Sequence, residues 1–405
     1  SSRCRRGRGS VSMIRTLTFS SLYPNAEMPR HGIFVENRLR HLVATGEVET
    51  RVVAPVPWFP FSSERFGSYA AFARVPEHEK RHGIEIDHPR YPLIPRFGMS
   101  SAPWLMAKAM HGVLSRMLAR GTAFDLIDAH YFYPDGVAAV LLGGWLRKPV
   151  VITARGTDVN LIPAHKLPRR WIVWAAQRCA GIITVSVALR TRLIELGVAS
   201  EKIRTLRNGV DLSLFHCLDG RDALREKHGL RRPTLLSVGH LIERKGHHFI
   251  IDAMRELRQF DLMIAGDGEW QEKLRSQVDE LGVTDQVRFL GALTQPQLVE
   301  YYNAADALVL ASSREGMANV LLESLACGTP LVATPIWGTP EVIADSRAGV
   351  MMRDRSAAAV AEAVQRLFSA YPARSAVREY AEKFDWNPTT AGQLAVFRDA
   401  LERHR

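Results

Sequence analysis

Short apolar runs alternate with amphipathic stretches along this chain in two separate series, and no other feature constrains its fold so strongly. The first series runs through residues 14–20, 35–44, 50–55, 105–119, 126–129, 136–146 and 150–153, and continues through 182–186 and 203–206. The second begins at Thr234 and runs through residues 235–239, 248–257, 262–265, 270–281, 287–290, 295–304, 307–311, 320–327, 331–334 and 341–345. Runs too short for helices, spaced by stretches of helical period, predict βαβ units and parallel sheets. Each series predicts one α/β domain, and 405 residues exceed a single ordinary core. Open sheets of this kind bind ligands beyond the carboxyl ends of their strands, so two facing domains are expected to enclose a cleft.

The expected organisation is an arm at 1–12, an N-terminal Rossmann-like α/β domain at 13–212, a C-terminal one at 213–375 and a returning helix at 376–405. The arm carries Arg3, Arg5, Arg6 and Arg8 and stops before Met13, which is read as the natural start. Non-specific phosphate affinity is the functional alternative for it, and no specific nucleic-acid partner is expected. Apolar residues at 46% and charged residues at 23% are those of a globular protein. No apolar run approaches the roughly 20 residues of a membrane span, and Cys4, Cys179, Cys217 and Cys327 lack metal or disulfide spacing. The expectation is a cytoplasmic protein at or near the inner face of the cell membrane. Net charge is +9 in residues 13–200 and −2 in 201–405. A basic first half suits an anionic partner, and a generally arginine-rich surface explains it as well.

The densest constellation is the segment Ser313 to Thr334, which reads as loop, helix, stop and strand. Gly328 and Pro330 form the stop. The amides of Met317, Ala318, Asn319 and Val320 then bring the positive end of a helix dipole to a ligand, and a diphosphate suits it. Glu315 precedes that terminus and Glu323 lies on the helix. One carboxylate can accept two hydroxyl hydrogen bonds from a ribose, and the other can meet a sugar ring.

In this frame the chain resembles glycosyltransferase family 4, whose motif is two glutamates separated by seven residues ahead of a Gly-x-Pro stop. The resemblance implies the GT-B architecture: two Rossmann-like α/β domains facing across a cleft, with a C-terminal helix crossing back. It also implies a retaining transferase that uses no metal ion and no cofactor beyond its nucleoside-diphosphate sugar, UDP- or GDP-linked. Glu323 would hold the donor ribose, Glu315 the donor sugar, and the amides at Met317–Val320 the diphosphate. The segment Ser237 to Gly246 is similar to the family's phosphate motif, with Lys245 as clamp; His240 stands where an arginine is usual, so Arg244 is expected to share that role. Gly266 and Leu290 fall where related proteins surround the base.

In the first half, Gly32 follows the loop that begins Ser20-Ser21-Leu22-Tyr23-Pro24-Asn25, and in relatives that loop approaches the donor phosphates. His130, in Asp128-Ala129-His130-Tyr131-Phe132-Tyr133-Pro134-Asp135-Gly136, is read as a sugar-contacting or catalytic histidine in an aromatic loop. Arg155 and Asp158 are read as acceptor-side residues. Residues 105–120 and 166–178 mix cations with Trp171 and Trp174, a composition that can lie on an anionic bilayer. The resemblance is nearest to bacterial enzymes that build polysaccharide or cell-wall glycan, so the acceptor is expected to be a glycan or a polyprenyl- or lipid-linked molecule. The rivals are a nucleotide-sugar sensor or scaffold without transfer, and a GT-B sugar-nucleotide epimerase.

Overall fold

A computed structural model of the chain describes residues 13–59, 63, 68–92 and 98–404, so the arm expected at 1–12 lies outside the described residues. The chain divides into two compact units. The first holds the residues up to Thr184, Arg192–Arg204 and Thr390 onward; the second holds Val185–Thr191 and Thr205–Thr389. The division thus falls at 204–205 where the sequence suggested 212–213, and residues 376–389 belong to the second unit. The last long helix, Trp386–Glu402, supplies the part that returns to the first unit.

The first ten strands are β1 (Ile14–Phe19), β2 (Val48–Val53), β3 (Val56–Pro57), β4 (His78–Arg81), β5 (Ile84–Asp87), β6 (Arg90–Tyr91), β7 (Leu126–His130), β8 (Val150–Ala154), β9 (Gly181–Thr184) and β10 (Ile203–Thr205). Eight make one sheet, ordered β10-β9-β8-β7-β1-β2-β5-β4, while β3 and β6 pair separately. β7, β8 and β9 are buried at every position, as expected of parallel strands covered on both faces. β4 runs antiparallel to β5 at the sheet's edge and alternates exposed and half-buried residues. The chain moves outward from β1 to β2 and then returns to β7 on the other side of β1, which makes a topological switch point between β1 and β7.

The second unit repeats the logic with β11 (Thr234–Val238), β12 (Asp261–Ala265), β13 (Val287–Gly291), β14 (Ala307–Leu310), β15 (Leu331–Ala333) and β16 (Gly349–Met351). Their order is β13-β12-β11-β14-β15-β16, and all five pairings are parallel. Leu235, Ile264 and Val309 on the strands pack with Ile250, Leu274 and Val360 on the flanking helices. Each such side chain contributes roughly 1.5–3 kcal/mol by leaving water. The switch point here lies between β11 and β14, so the loops that follow those two strands define where a ligand can sit.

Candidate functional site

The loops after β11 and β14 are locked together by glycine geometry. Gly246 adopts φ 74°, and a Cβ there would lie 2.0 Å from the Ala311 carbonyl oxygen, so only glycine lets the two loops touch. The short helical turn Glu243–Lys245 is thereby aimed at the segment that carries Glu315. Lys245 Nζ donates to Glu315 Oε1 at 2.7 Å, Arg244 Nη1 reaches the same oxygen at 3.3 Å, and Ser312 Oγ donates to it at 2.9 Å. Burial pushes the Glu315 carboxyl up, but Lys245 and Arg244 outweigh it and hold the group below its ordinary range. The carboxylate is therefore ionised, and two cations stand beside it. The turn's other expected member, His240, is 64% exposed with Nδ1 3.7 Å from Asp267.

The helix predicted from Val320 begins one residue earlier and spans Asn319–Ala326, with Ala318 as its N-cap. Met317 and Ala318 therefore precede the helix, and their amides belong to the approach. Ala318 makes no side-chain cap bond at this terminus, and Met317 and Ala318 are each only 7% exposed. A buried helix start without a side-chain cap is an anion site in waiting. Glu323 lies in the second turn and is buried; Tyr302 Oη donates to its Oε2 at 2.9 Å. Burial pushes the Glu323 carboxyl up to about 7, with Tyr302 and Gln295 opposing. Tyr302 is held by the helix Gln295–Ala304, whose start is set by Gln297 accepting from the Thr294 amide at 2.9 Å.

Gly266, after β12, has φ 148°, and a Cβ would stand 1.9 Å from the Gly239 carbonyl oxygen. Its amide donates to the Gly291 carbonyl at 2.7 Å, and Leu290 beside it is partly buried. The β11, β12 and β13 loops thus form one floor next to the cations.

In the first unit, Gly32 occupies φ 71° at the start of the helix Ile33–Ala44, where a Cβ would lie 2.2 Å from the Leu22 carbonyl oxygen. Ser21 is pinned by its amide and hydroxyl to Asp135 Oδ2 at 3.0 and 2.9 Å. His130 is not in a loop: it is the last residue of β7 and 1% exposed. Its Nδ1 meets Arg155 Nη2 at 2.6 Å and its Nε2 meets Asp128 Oδ2 at 3.0 Å. A guanidinium only donates, so Nδ1 accepts and the proton sits on Nε2. Burial lowers the imidazole's proton affinity and Arg155 adds to this against Asp128, so the ring is neutral. With both nitrogens engaged, His130 offers none to a sugar, and its expected contact role gives way to one of positioning.

The same chain of bonds continues inward. Gln393 Nε2 donates to Asp128 Oδ2 at 3.1 Å, and Arg38 Nε donates to Gln393 Oε1 at 2.8 Å. Arg155 also lies over the Phe34 ring at 5.1 Å, and burial lowers its guanidinium to about 9. Asp158 is not placed to meet an acceptor. Its carboxylate is fully buried and accepts from the amides of Phe132 at 2.6 Å, Gly156 at 2.7 Å and Arg155 at 3.1 Å. It clamps a loop. Tyr302, Ser312, Asp128, Gln393 and Arg38 escape a sequence reading because nothing in their spacing ties them to the residues they touch.

Two parallel-sheet units, the second with a cation pair and an uncapped helix start at its switch point, define a GT-B glycosyltransferase. Residues 32–214 match the family model described as Glycosyltransferase Family 4, and residues 220–384 match that of Glycosyl transferases group 1. The chain belongs to glycosyltransferase family 4. It is 27% identical over 390 residues to a Bacillus subtilis (strain 168) glycosyltransferase named for teichuronic acid biosynthesis, covering 94% of this chain and 92% of that one. It is 30% identical over 312 residues to a D-inositol 3-phosphate glycosyltransferase of Acidothermus cellulolyticus, covering 70% and 68%. Among solved structures, the sucrose-phosphate synthase of Thermosynechococcus elongatus has the same fold, with a TM-score of 0.77 at 19% identity over 96% of this chain and all of that one. An Anabaena protein, HepE, in complex with UDP-glucose aligns with a TM-score of 0.69 at 18% identity over 95% and 99%.

Proposed function

We propose that this enzyme is a retaining, metal-independent glycosyltransferase that moves a hexose-type sugar from a UDP- or GDP-linked donor to a glycan or lipid-linked acceptor in polysaccharide or cell-envelope biosynthesis. The observation that carries the reading is the meeting of Lys245 and Arg244 at Glu315, beside an uncapped helix start at the β11–β14 switch point. In the transfer, the bond between the anomeric carbon and the β-phosphate oxygen breaks, and negative charge grows on that oxygen. Lys245, Arg244 and the amides at Met317–Val320 stabilise it, the task that a divalent cation serves elsewhere. The acceptor oxygen bonds to the anomeric carbon and its proton passes to the departing phosphate, so no protein nucleophile is assigned. Glu323 takes the ribose hydroxyls and Glu315 the donor sugar. His240, exposed on the same turn, borders the phosphates, and Gly266 and Leu290 border the base. A relative and a fold neighbour support the reading: the B. subtilis glycosyltransferase named for teichuronic acid biosynthesis, and HepE with UDP-glucose.

The test is a thermal-shift series against UDP, GDP, ADP and their sugar conjugates, with and without EDTA, repeated for Glu323→Ala and Lys245→Ala. One nucleotide is expected to stabilise the wild type by roughly 2–3 kcal/mol well above its dissociation constant, without metal. Both variants are expected to lose that shift. Activity abolished by EDTA and restored by magnesium overturns the metal-independent mechanism. Donor binding with neither transfer nor donor hydrolysis makes the protein a sensor.

A further inference from the structure

A cavity of about 810 Å³ opens on the first unit, at the amino-terminal edge of its sheet. Lys148 and Val150 line it at the start of β8, and Ala180 lines it just before β9, whereas His130 and Arg155 lie at the opposite ends of these parallel strands. It is therefore separate from the residues considered so far. Its walls bring together four cations, Arg147, Lys148, Arg178 and Arg403, and two indoles, Trp145 and Trp174; the remaining walls are mostly apolar and include no acidic side chain.

Among the described residues none of the four forms a close ion pair with a carboxylate; Lys148 acts on Asp125 only through its field. Lys148 and Arg178 instead lie over the Phe124 and Trp174 rings at 5.7 and 4.8 Å. Three helices end at the cavity, and neutralising their carbonyl ends is the ordinary use for cations there. At two of the three that use is already filled. Lys202 Nζ caps the helix Lys166–Arg178 through the carbonyls of Ala176, Gln177 and Cys179 at 3.3, 2.5 and 3.3 Å. His404 Nε2 meets the Arg147 carbonyl at 3.1 Å. The positive charge left over faces the cavity. Trp145, 45% exposed, stands at this mouth, and a water-exposed indole beside unpaired cations is the pattern of a bilayer interface. A soluble anion would use the cations and leave the indole in water.

We propose that this cavity receives the phosphate head of an anionic membrane lipid, with the four cations around the phosphate and Trp145 at the level of the headgroups. The site refines the expected membrane contact and is independent of the donor reading. The test is flotation of the whole chain with vesicles of phosphatidylcholine alone and of phosphatidylcholine and phosphatidylglycerol in equal parts. Wild type is expected to float with the anionic vesicles only, and less so as salt rises. A Lys148→Gln/Arg178→Gln/Arg403→Gln variant is expected to lose about a hundredfold in partitioning, at about fivefold per cation. Lys148→Arg/Arg178→Lys/Arg403→Lys keeps the charge and is expected to keep the binding. The thermal melt of the neutral variant without nucleotide is expected to match wild type, which shows that it folds whether or not the donor reading holds. Equal flotation of wild type and the neutral variant overturns the proposal. So does loss of binding in Arg169→Gln/Arg170→Gln alone, which moves the contact to the neighbouring helix face. So does binding of inorganic phosphate or an oligonucleotide without vesicle selectivity.

Discussion

Glu323 makes the stability of the second unit depend on pH, and it does so in a direction that separates burial from charge pairing. Its carboxyl is moved from an ordinary 4.5 to about 7 by burial, against the opposing hydrogen bond from Tyr302. For an acid whose proton affinity is higher when folded, stability is complete below pH 4.5 and falls as pH rises through about 7. The displacement corresponds to about 3 kcal/mol between the two limits. Glu323→Gln keeps an oxygen for the Tyr302 hydroxyl but cannot ionise. The variant is therefore expected to gain on wild type progressively from about pH 5 to pH 8, approaching 3 kcal/mol at the alkaline end. Denaturant titration across this range, followed through the transition that responds to nucleotide, reads the difference directly. The proposed donor role sharpens the test: if ribose hydroxyls donate to the ionised Glu323 carboxylate, nucleotide affinity of the wild type is expected to rise with pH while that of the variant stays flat. Parallel stability curves for the two proteins refute the reasoning, because they require a carboxylate already solvated or paired.

Lys245→Ala is expected to remove the nucleotide-induced shift and to raise the proton affinity of Glu315 in part, since Arg244 and Ser312 remain, which the acid limb of the transfer-rate profile detects. Gly246→Ala forces a Cβ to within 2.0 Å of the Ala311 carbonyl at φ 74°; it is expected to cost the second unit at least roughly 1–3 kcal/mol and to weaken donor binding, both visible in thermal melts with and without nucleotide. Gln393→Leu takes the acceptor from Arg38 Nε and a donor from Asp128, so the first unit is expected to lose roughly 1–3 kcal/mol by denaturant titration while the nucleotide-induced shift persists. Asp135, pushed by burial up to about 7, is expected to weaken the first unit as pH rises through that value, and Asp135→Asn to flatten the profile.

β12, β14 and β15 were legible because they are buried on both faces and read as apolar runs, Leu262–Ala265 and Ala307–Leu310 among them. The Glu315–Glu323 frame was legible for a related reason: strand, loop, helix and stop follow each other within one short segment. β4 and β5 were not, since His78–Arg81 is polar throughout and half exposed, and edge pairing leaves no hydrophobic signature. The role of His130 rests on the likeness of its loop to the family's His-containing loop, whereas its actual partners are Arg155, 25 residues away, and Asp128, whose bond to Gln393 spans 265 residues. Asp158 looked available because a carboxylate's backbone partners leave no trace in side-chain spacing. The uneven division of the chain, with Val185–Thr191 counted in the second unit, is set by packing alone.

The first unit is built from the beginning of the chain and from residues 390–404, with the whole second unit made in between. During synthesis the second unit is complete before the ribosome has supplied Gln393, so the domain begun first is finished last. Until then Arg38 and Asp128 lack the Gln393 amide that links them. The protein's own order of manufacture thus makes the second unit the earlier product and leaves the first waiting on the helix Trp386–Glu402.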